Sequence, residues 1–157
     1  MEEIMYHSPD RLFWRTKKIL LPVDGSKSAA QAATVAYELA EITKSKLFII
    51  HVINIGMVQQ IATMSDSDSL EVLTRYMTNG ERLLEGYKKA ASEFDLDVEL
   101  VLEQGLPSSK IIEFARKKRV DVIVMGSRGA TSISRSGLGS STERVVRKAS
   151  CAVLIIK

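Results

Sequence analysis

Cysteine, histidine and tryptophan are nearly absent: 157 residues hold one Cys, two His and one Trp, with three Pro. A lone Cys151 cannot form an intrachain disulfide, and with only His7 and His51 beside it the Cys/His clusters of zinc sites are excluded. No metal held by side chains alone is expected, although Mg²⁺ carried in on phosphates needs few protein ligands. Long apolar runs are missing too. No stretch approaches the roughly 20 residues that cross a bilayer, and the opening MEEIMYHSPDRLFWRT starts acidic without a continuous apolar core. Neither a membrane partner nor a signal peptide is expected, and the cytoplasm is the expected location. Charge of one sign is not in large excess, with 22 basic against 19 acidic residues. The runs RKKR (116–119) and RVVRK (144–148) suit helix ends and come without an aromatic stacking platform, so no nucleic-acid partner is expected. The patterns GxxxxGK(S/T), GxGxxG and GxSxG are also absent, which removes the signatures of P-loop, dinucleotide-binding and α/β-hydrolase sites.

What is present is an apolar pattern that keeps changing period. KKILLPV ends in a continuous apolar run, stopped by Pro22 and the turn pair Asp24-Gly25, and predicts a buried strand. From Ser26, a candidate N-cap, Ala29, Ala32, Ala33, Ala36, Leu39 and Ala40 recur at helical spacing. KLFIIHVI predicts a second buried strand. NIGMVQQIATMSDSDS (54–69) shows no clear period, ends in turn formers and reads as a loop. Leu70, Leu73, Met77, Leu84, Tyr87, Ala91 and Phe94 predict a long helix, weakened at Gly80 and Gly86. DVELVLEQG alternates apolar and acidic residues, as a strand near a sheet edge does. Pro107 opens a further helix, VDVIVM is a fourth strand, STERVVRKAS a short helix and AVLIIK a fifth strand with Cys151 as apolar filler before it. Such alternation implies an α/β single domain: an open parallel five-stranded sheet, Rossmann-like, with helices on both faces.

Ligands of such sheets bind beyond the carboxyl ends of the strands, where strand order reverses. The fourth strand leaves at that end as VMGSRGATSISRSGLGSSTERVV (124–146). Its glycines let backbone approach a ligand closely, and Ser140, Ser141 and Thr142 open a helix whose first amides have no internal partners and whose dipole end is positive. Such an end binds phosphate readily. The plainer reading is a connector, in which Ser140 and Glu143 form a capping box and Asp24 simply turns the chain. His51, in an apolar strand, reads as a hydrogen-bonded core or rim residue.

The spacing Gly126-x2-Gly129-x9-Gly139-Ser140, with ILLPVDGS, the pair His51-Val52, DVIVMGSRG and the terminal CAVLIIK in that order, resembles the universal stress proteins, specifically their ATP-binding subgroup. The resemblance runs from about residue 17 to the last residue and implies a universal stress protein domain over 17–157 with an N-terminal arm over 1–16. It further implies an adenine nucleotide alpha hydrolase-like fold and ATP, with Mg, as ligand. Asp24 would contact the ribose or adenosine side, and Val52, Pro22, Val23 and Met125 would surround the base. Gly126, Arg128, Gly129, Gly139, Ser140, Ser141 and Thr142 would form the phosphate loop. A homodimer through the C-terminal strand (152–156), and a regulatory protein partner in a stress response, are implied as well. Two departures stand out: the arm with Trp14, and Arg144 where asparagine is common.

No catalytic residue is assigned, because the HIGH-type and SGGxDS-type signatures of nucleotidyl transfer are absent and no general base falls near the phosphates. The expectation is therefore a nucleotide-dependent regulatory module. The alternatives are a slow Mg-dependent ATPase or nucleotidyl-transfer relative, and a protein-interaction module that binds no nucleotide.

Overall fold

Strands buried on both faces need helices on both sides, and the chain supplies them in alternation. The computed structural model describes residues 11–129 and 137–157. His7, most of the arm and the middle of the glycine stretch lie outside the described residues. The elements are α1 (Leu12–Arg15), β1 (Lys18–Pro22), α2 (Lys27–Thr43), β2 (Lys46–Asn54), α3 (Ile55–Met64), α4 (Ser69–Ala91), β3 (Val98–Gly105), α5 (Pro107–Lys118), β4 (Val122–Gly126), α6 (Ser140–Lys148) and β5 (Ala152–Ile156). All strands are parallel, in the order β3-β2-β1-β4-β5. This is the α/β sheet the sequence predicts.

Ile19, Leu21, Leu47, Ile49, Val122 and Val124 meet α2 and α4 on one face. Leu20, Phe48, Ile50, Ile123 and Met125 meet α5 and α6 on the other. Helix α2 turns Ala29, Ala32, Ala33, Ala36 and Ala40 to the sheet, so only methyl groups separate its backbone from the strands. The Ser26 hydroxyl caps it by accepting from the Ala29 amide at 3.1 Å, and Lys44, at φ 54°, closes it in the left-handed conformation. Tyr37 donates to the Tyr87 carbonyl at 2.8 Å, and burial pushes its phenol up to about 12.

The segment read as a loop is a helix. Asn54 ends β2 and caps α3, its Oδ1 accepting from the Met57 amide at 3.3 Å. Val58 and Ala62 then bury against Ile53 and Val72. The stabilising partner is α4, which lies later in the chain, so local periodicity alone understates this helix.

Gly80 and Gly86 do not play the same role in α4. A β-carbon at Gly80 would stand 2.9 Å from His51 Cδ2 and 3.0 Å from Leu102 Cδ1, whereas one at Gly86 would meet nothing within 4 Å. Gly86→Ala is therefore expected to stabilise the protein by about 0.5–1 kcal/mol, by helix propensity and a less disordered unfolded chain. Gly80→Ala should destabilise it by about 1–3 kcal/mol through overpacking. Urea denaturation of the two variants reads both signs.

The β3 edge carries Glu99 exposed, in keeping with its alternating pattern. At the other edge β5, among the described residues, pairs with β4 alone and stays half-buried rather than fully buried, with Leu154 exposed. Cys151 just before it is half-buried, and burial raises its thiol.

Candidate functional site

Strand order reverses between β1 and β4: from β1 the chain moves outward to β2 and β3, and β4 with β5 lie on the other side. The segments leaving β1 and β4 therefore run to opposite faces of the sheet and leave a crevice between them. At the end of β1, Asp24 Oδ1 accepts from the Ser26 amide at 3.0 Å, and Gly25 takes φ +82°, which only glycine adopts without strain. The turn is held to the β4 segment by the Arg128 amide donating to Ser28 Oγ at 3.2 Å and by Ser26 Oγ donating to the Arg128 carbonyl at 3.4 Å.

On the β4 side, the Ser127 amide donates to the Ile156 carbonyl at 2.9 Å, and the Gly139 amide returns to the Ser127 carbonyl at 2.8 Å. Gly139 and Gly129 are in close apposition, since a β-carbon on Gly139 would stand 2.9 Å from the Gly129 nitrogen. Gly139 is the N-cap of α6, and the first return bond runs from the Glu143 amide to the Gly139 carbonyl. The amides of Ser140, Ser141 and Thr142 thus open the helix without partners inside it.

Two details of this turn differ from the capping-box reading. Ser140 occupies the first helical position rather than the cap, and Glu143 pairs with Arg147 at 2.8 Å instead of reaching back. The Thr142 hydroxyl is buried and donates to the Gly126 carbonyl at 3.0 Å. Thr142 consequently offers a ligand its amide, and its hydroxyl proton serves the fold.

The cleft, of about 230 Å³, is lined by Pro22, Val23 and Asp24 from β1, Val52 from β2, Met125, Gly126, Arg128 and Gly129 from β4, and Gly139, Ser140, Ser141 and Thr142 from α6. Each residue the sequence pointed to lies on it. Sequence reasoning missed Asn54, Met57 and Tyr76, which form the α3/α4 wall. Asn54 followed by Val58, Ile61 and Ala62 is the signal that could have found the helix, but nothing local shows that Tyr76 reaches the cleft. His51 also lines it, with Nδ1 2.7 Å from the Val23 carbonyl. A carbonyl only accepts, so Nδ1 carries the proton and this ring joins β2 to β1. Arg144 is exposed and lies instead in a groove with Arg116, Lys117 and Lys148 between α5 and α6.

Among the described residues, Asp24 is the one carboxylate lining the cleft, and no His/Cys/Asp/Glu cluster able to hold a metal occurs. No helix among them is long and apolar enough to cross a membrane.

The family model described as "Universal stress protein family" matches residues 15–157. The chain belongs to the universal stress protein family. A universal stress protein of Methanocaldococcus jannaschii is 34% identical over 142 residues, covering 90% of this chain and 82% of its own. The solved structure of a second universal stress protein from that organism superposes with a TM-score of 0.78 at 28% identity, covering 90% of this chain and 95% of that one. A universal stress protein of Arabidopsis thaliana solved with AMP bound shares the fold at a TM-score of 0.61 and 22% identity, covering 90% and 91%. The stress-response role of the family thereby extends to this member at family level.

Proposed function

We propose that this universal stress protein binds ATP in the cleft at the β1/β4 reversal and acts as a nucleotide-dependent regulatory module. The observation that carries the reading is the convergence, on one cleft, of an apolar slot, a carboxylate and the first turn of α6.

The slot suits a base. Register between β1 and β2 ends at Pro22 and Ile50, and the Val23 amide returns to the Ile50 carbonyl. Residues of alternate parity turn their backbone groups to the same neighbour, so the amide and carbonyl of Val52 face the place β1 has left. That donor and acceptor complement adenine, which offers N1 as acceptor and its 6-amino group as donor. Val23, Val52 and Met125 give the base apolar cover. Asp24, as an acceptor, suits the ribose hydroxyls. Phosphates would lie over the amides of Ser140, Ser141 and Thr142, with the Ser140 and Ser141 hydroxyls and the Arg128 guanidinium as further donors.

These groups fit ATP with Mg²⁺ held mainly by phosphate oxygens and water, the ion offsetting phosphate charge. Among the described residues they supply no base placed to activate water at the γ-phosphate: His51 turns its Cδ2–Nε2 edge to Gly80 of α4, and Asp24 belongs to the ribose side. Hydrolysis is therefore expected to be slow. The AMP in the Arabidopsis relative supports an adenine nucleotide in this fold. The reading includes a homodimer along the free apolar edge of β5, a regulatory protein partner, a cytoplasmic location and a domain starting near residue 17.

A Mg²⁺-ATP thermal-shift titration tests the proposal. A ligand at 100 times its Kd adds about 2.7 kcal/mol, which for a domain of this size is a rise of roughly 5–11 °C. ATP should act at lower concentration than GTP, with phosphate release near background. The same samples in light scattering report the dimer. A melting temperature unmoved by millimolar ATP would remove the nucleotide and leave the protein-interaction reading in its place.

A further inference from the structure

The end of the sheet opposite the cleft carries an apolar wedge among cations. Helix α1 and its flanks read RLFWRTKK, and within them Leu12 is 39%, Phe13 51% and Trp14 76% exposed. Ile42, on the last turn of α2 against which α1 packs, is 77% exposed. These are large apolar side chains, and their grouping at one end marks an interaction surface.

The wedge is anchored to the fold. The Thr16 hydroxyl donates to the Leu12 carbonyl at 2.7 Å, and the Thr16 carbonyl accepts from Ser45 Oγ at 3.0 Å. Side chains at its tip therefore project from a fixed base.

Positive charge surrounds it. Arg11 lies over the Trp14 ring at 4.7 Å, Lys17 is exposed just after it in the chain, and exposed Lys44 is brought to the same place by Ser45 on the Thr16 carbonyl. Lys18 Nζ donates to the Lys118 carbonyl at 2.9 Å, which brings the exposed cationic turn Arg116–Arg119 to the same edge. Asp121 sits at this junction, but its Oδ2 is turned inward and accepts from the Lys17 and Lys18 amides at 2.8 and 3.0 Å. Exposed carboxylates at this end include Glu41 beside Ile42 and Asp97 against the start of β2, while Glu99 pairs with Lys46 at 3.7 Å.

We propose that this end docks on an anionic lipid surface, with Phe13 and Trp14 entering the headgroup region and the surrounding Arg and Lys side chains meeting lipid phosphates. Aromatic rings favour the bilayer interface, and a short apolar insertion needs a polybasic patch to hold it there. Charge complementarity selects this occupant. A second copy docked through the same face would set cation against cation, and a nucleic acid would leave Leu12 and Ile42 unused. Docking is peripheral and needs no spanning helix. It leaves the cleft, at the other end of the strands, open to solution.

Trp14 is the only tryptophan, so its fluorescence reports the wedge alone. The full chain is mixed with phosphatidylcholine vesicles, with or without about three tenths phosphatidylglycerol, and followed by emission and cosedimentation. The expected result is a blue shift and sedimentation with the anionic vesicles only, weakened in about 0.5 M salt. Phe13→Ser should lower vesicle affinity about tenfold, and Lys17→Glu with Lys118→Glu by at least as much. All three side chains are exposed, so unchanged melting shows that the fold is kept. Any of these results would overturn the proposal: no shift on anionic vesicles, equal binding to neutral ones, variants that bind like the parent, or tighter binding to duplex DNA. A blue shift that grows with protein concentration in the absence of vesicles would assign the wedge to a second copy and equally overturn it.

Discussion

Gly126→Ala is expected to cost about 3 kcal/mol or more of stability, a fall of roughly 6–12 °C in melting temperature. The added β-carbon would stand 2.6 Å from the Ser28 carbonyl carbon and 2.7 Å from its oxygen, and would also meet the Ser28 hydroxyl. Backbone cannot rotate aside as a side chain can. Ser28 lies in the first turn of α2, whose start is capped by Ser26 and whose methyl face is already against the strands. Gly126, at the end of the wholly buried β4, is held in turn by Thr142 through its carbonyl. Neither partner can retreat without opening the core. Chemical denaturation should show the loss, and Ser28→Ala should not restore it, because the carbonyl remains in the way. Rescue by that second change, or a loss below about 1 kcal/mol, would show that α2 shifts more freely than its packing allows.

Gly139→Ala should separate the site from the fold. Its φ of −62° suits any residue, so the substitution carries little backbone strain. The obstacle is steric: 2.9 Å to the Gly129 nitrogen and 3.4 Å to Arg128 Cα. Opening that approach moves the glycine loop away from the first amides of α6. Stability is expected to change by about 1 kcal/mol or less, while ATP affinity falls at least about a hundredfold, as misplaced donors lose several charge-assisted bonds together. Isothermal titration alongside melting reads the two effects independently. Undiminished affinity would mean that the phosphates do not sit at this loop.

The pattern of legibility in the sequence has a physical cause. β1, β2 and β4 are continuous apolar runs because helices cover both of their faces, and such runs need no partner to be recognised. The alanine face of α2 is equally local. What depends on distant neighbours was harder to read: α3 is held by α4, and Tyr76 joins the cleft from a helix that pattern alone assigns only to packing. The glycine spacing was visible, but the division of labour within it was not. Gly126 serves contact with α2, whereas Gly129 and Gly139 serve their own close approach, and only three dimensions distinguish these uses. The same holds for Thr142, whose hydroxyl reads as a ligand donor until its carbonyl partner is known.

The strand order β3-β2-β1-β4-β5 also shapes how the chain comes off the ribosome. β1, β2 and β3 can pair with their helices as soon as they emerge, each with a strand made shortly before. β1 then waits with one flank bare until β4 is made; Lys17 and Asp121, which meet at that seam, are 104 residues apart. During this interval the nascent protein exposes the flank of its central strand, and non-local pairing of this kind is slow and prone to aggregation. The period just before β4 emerges is when a neighbouring nascent chain is most able to take its place.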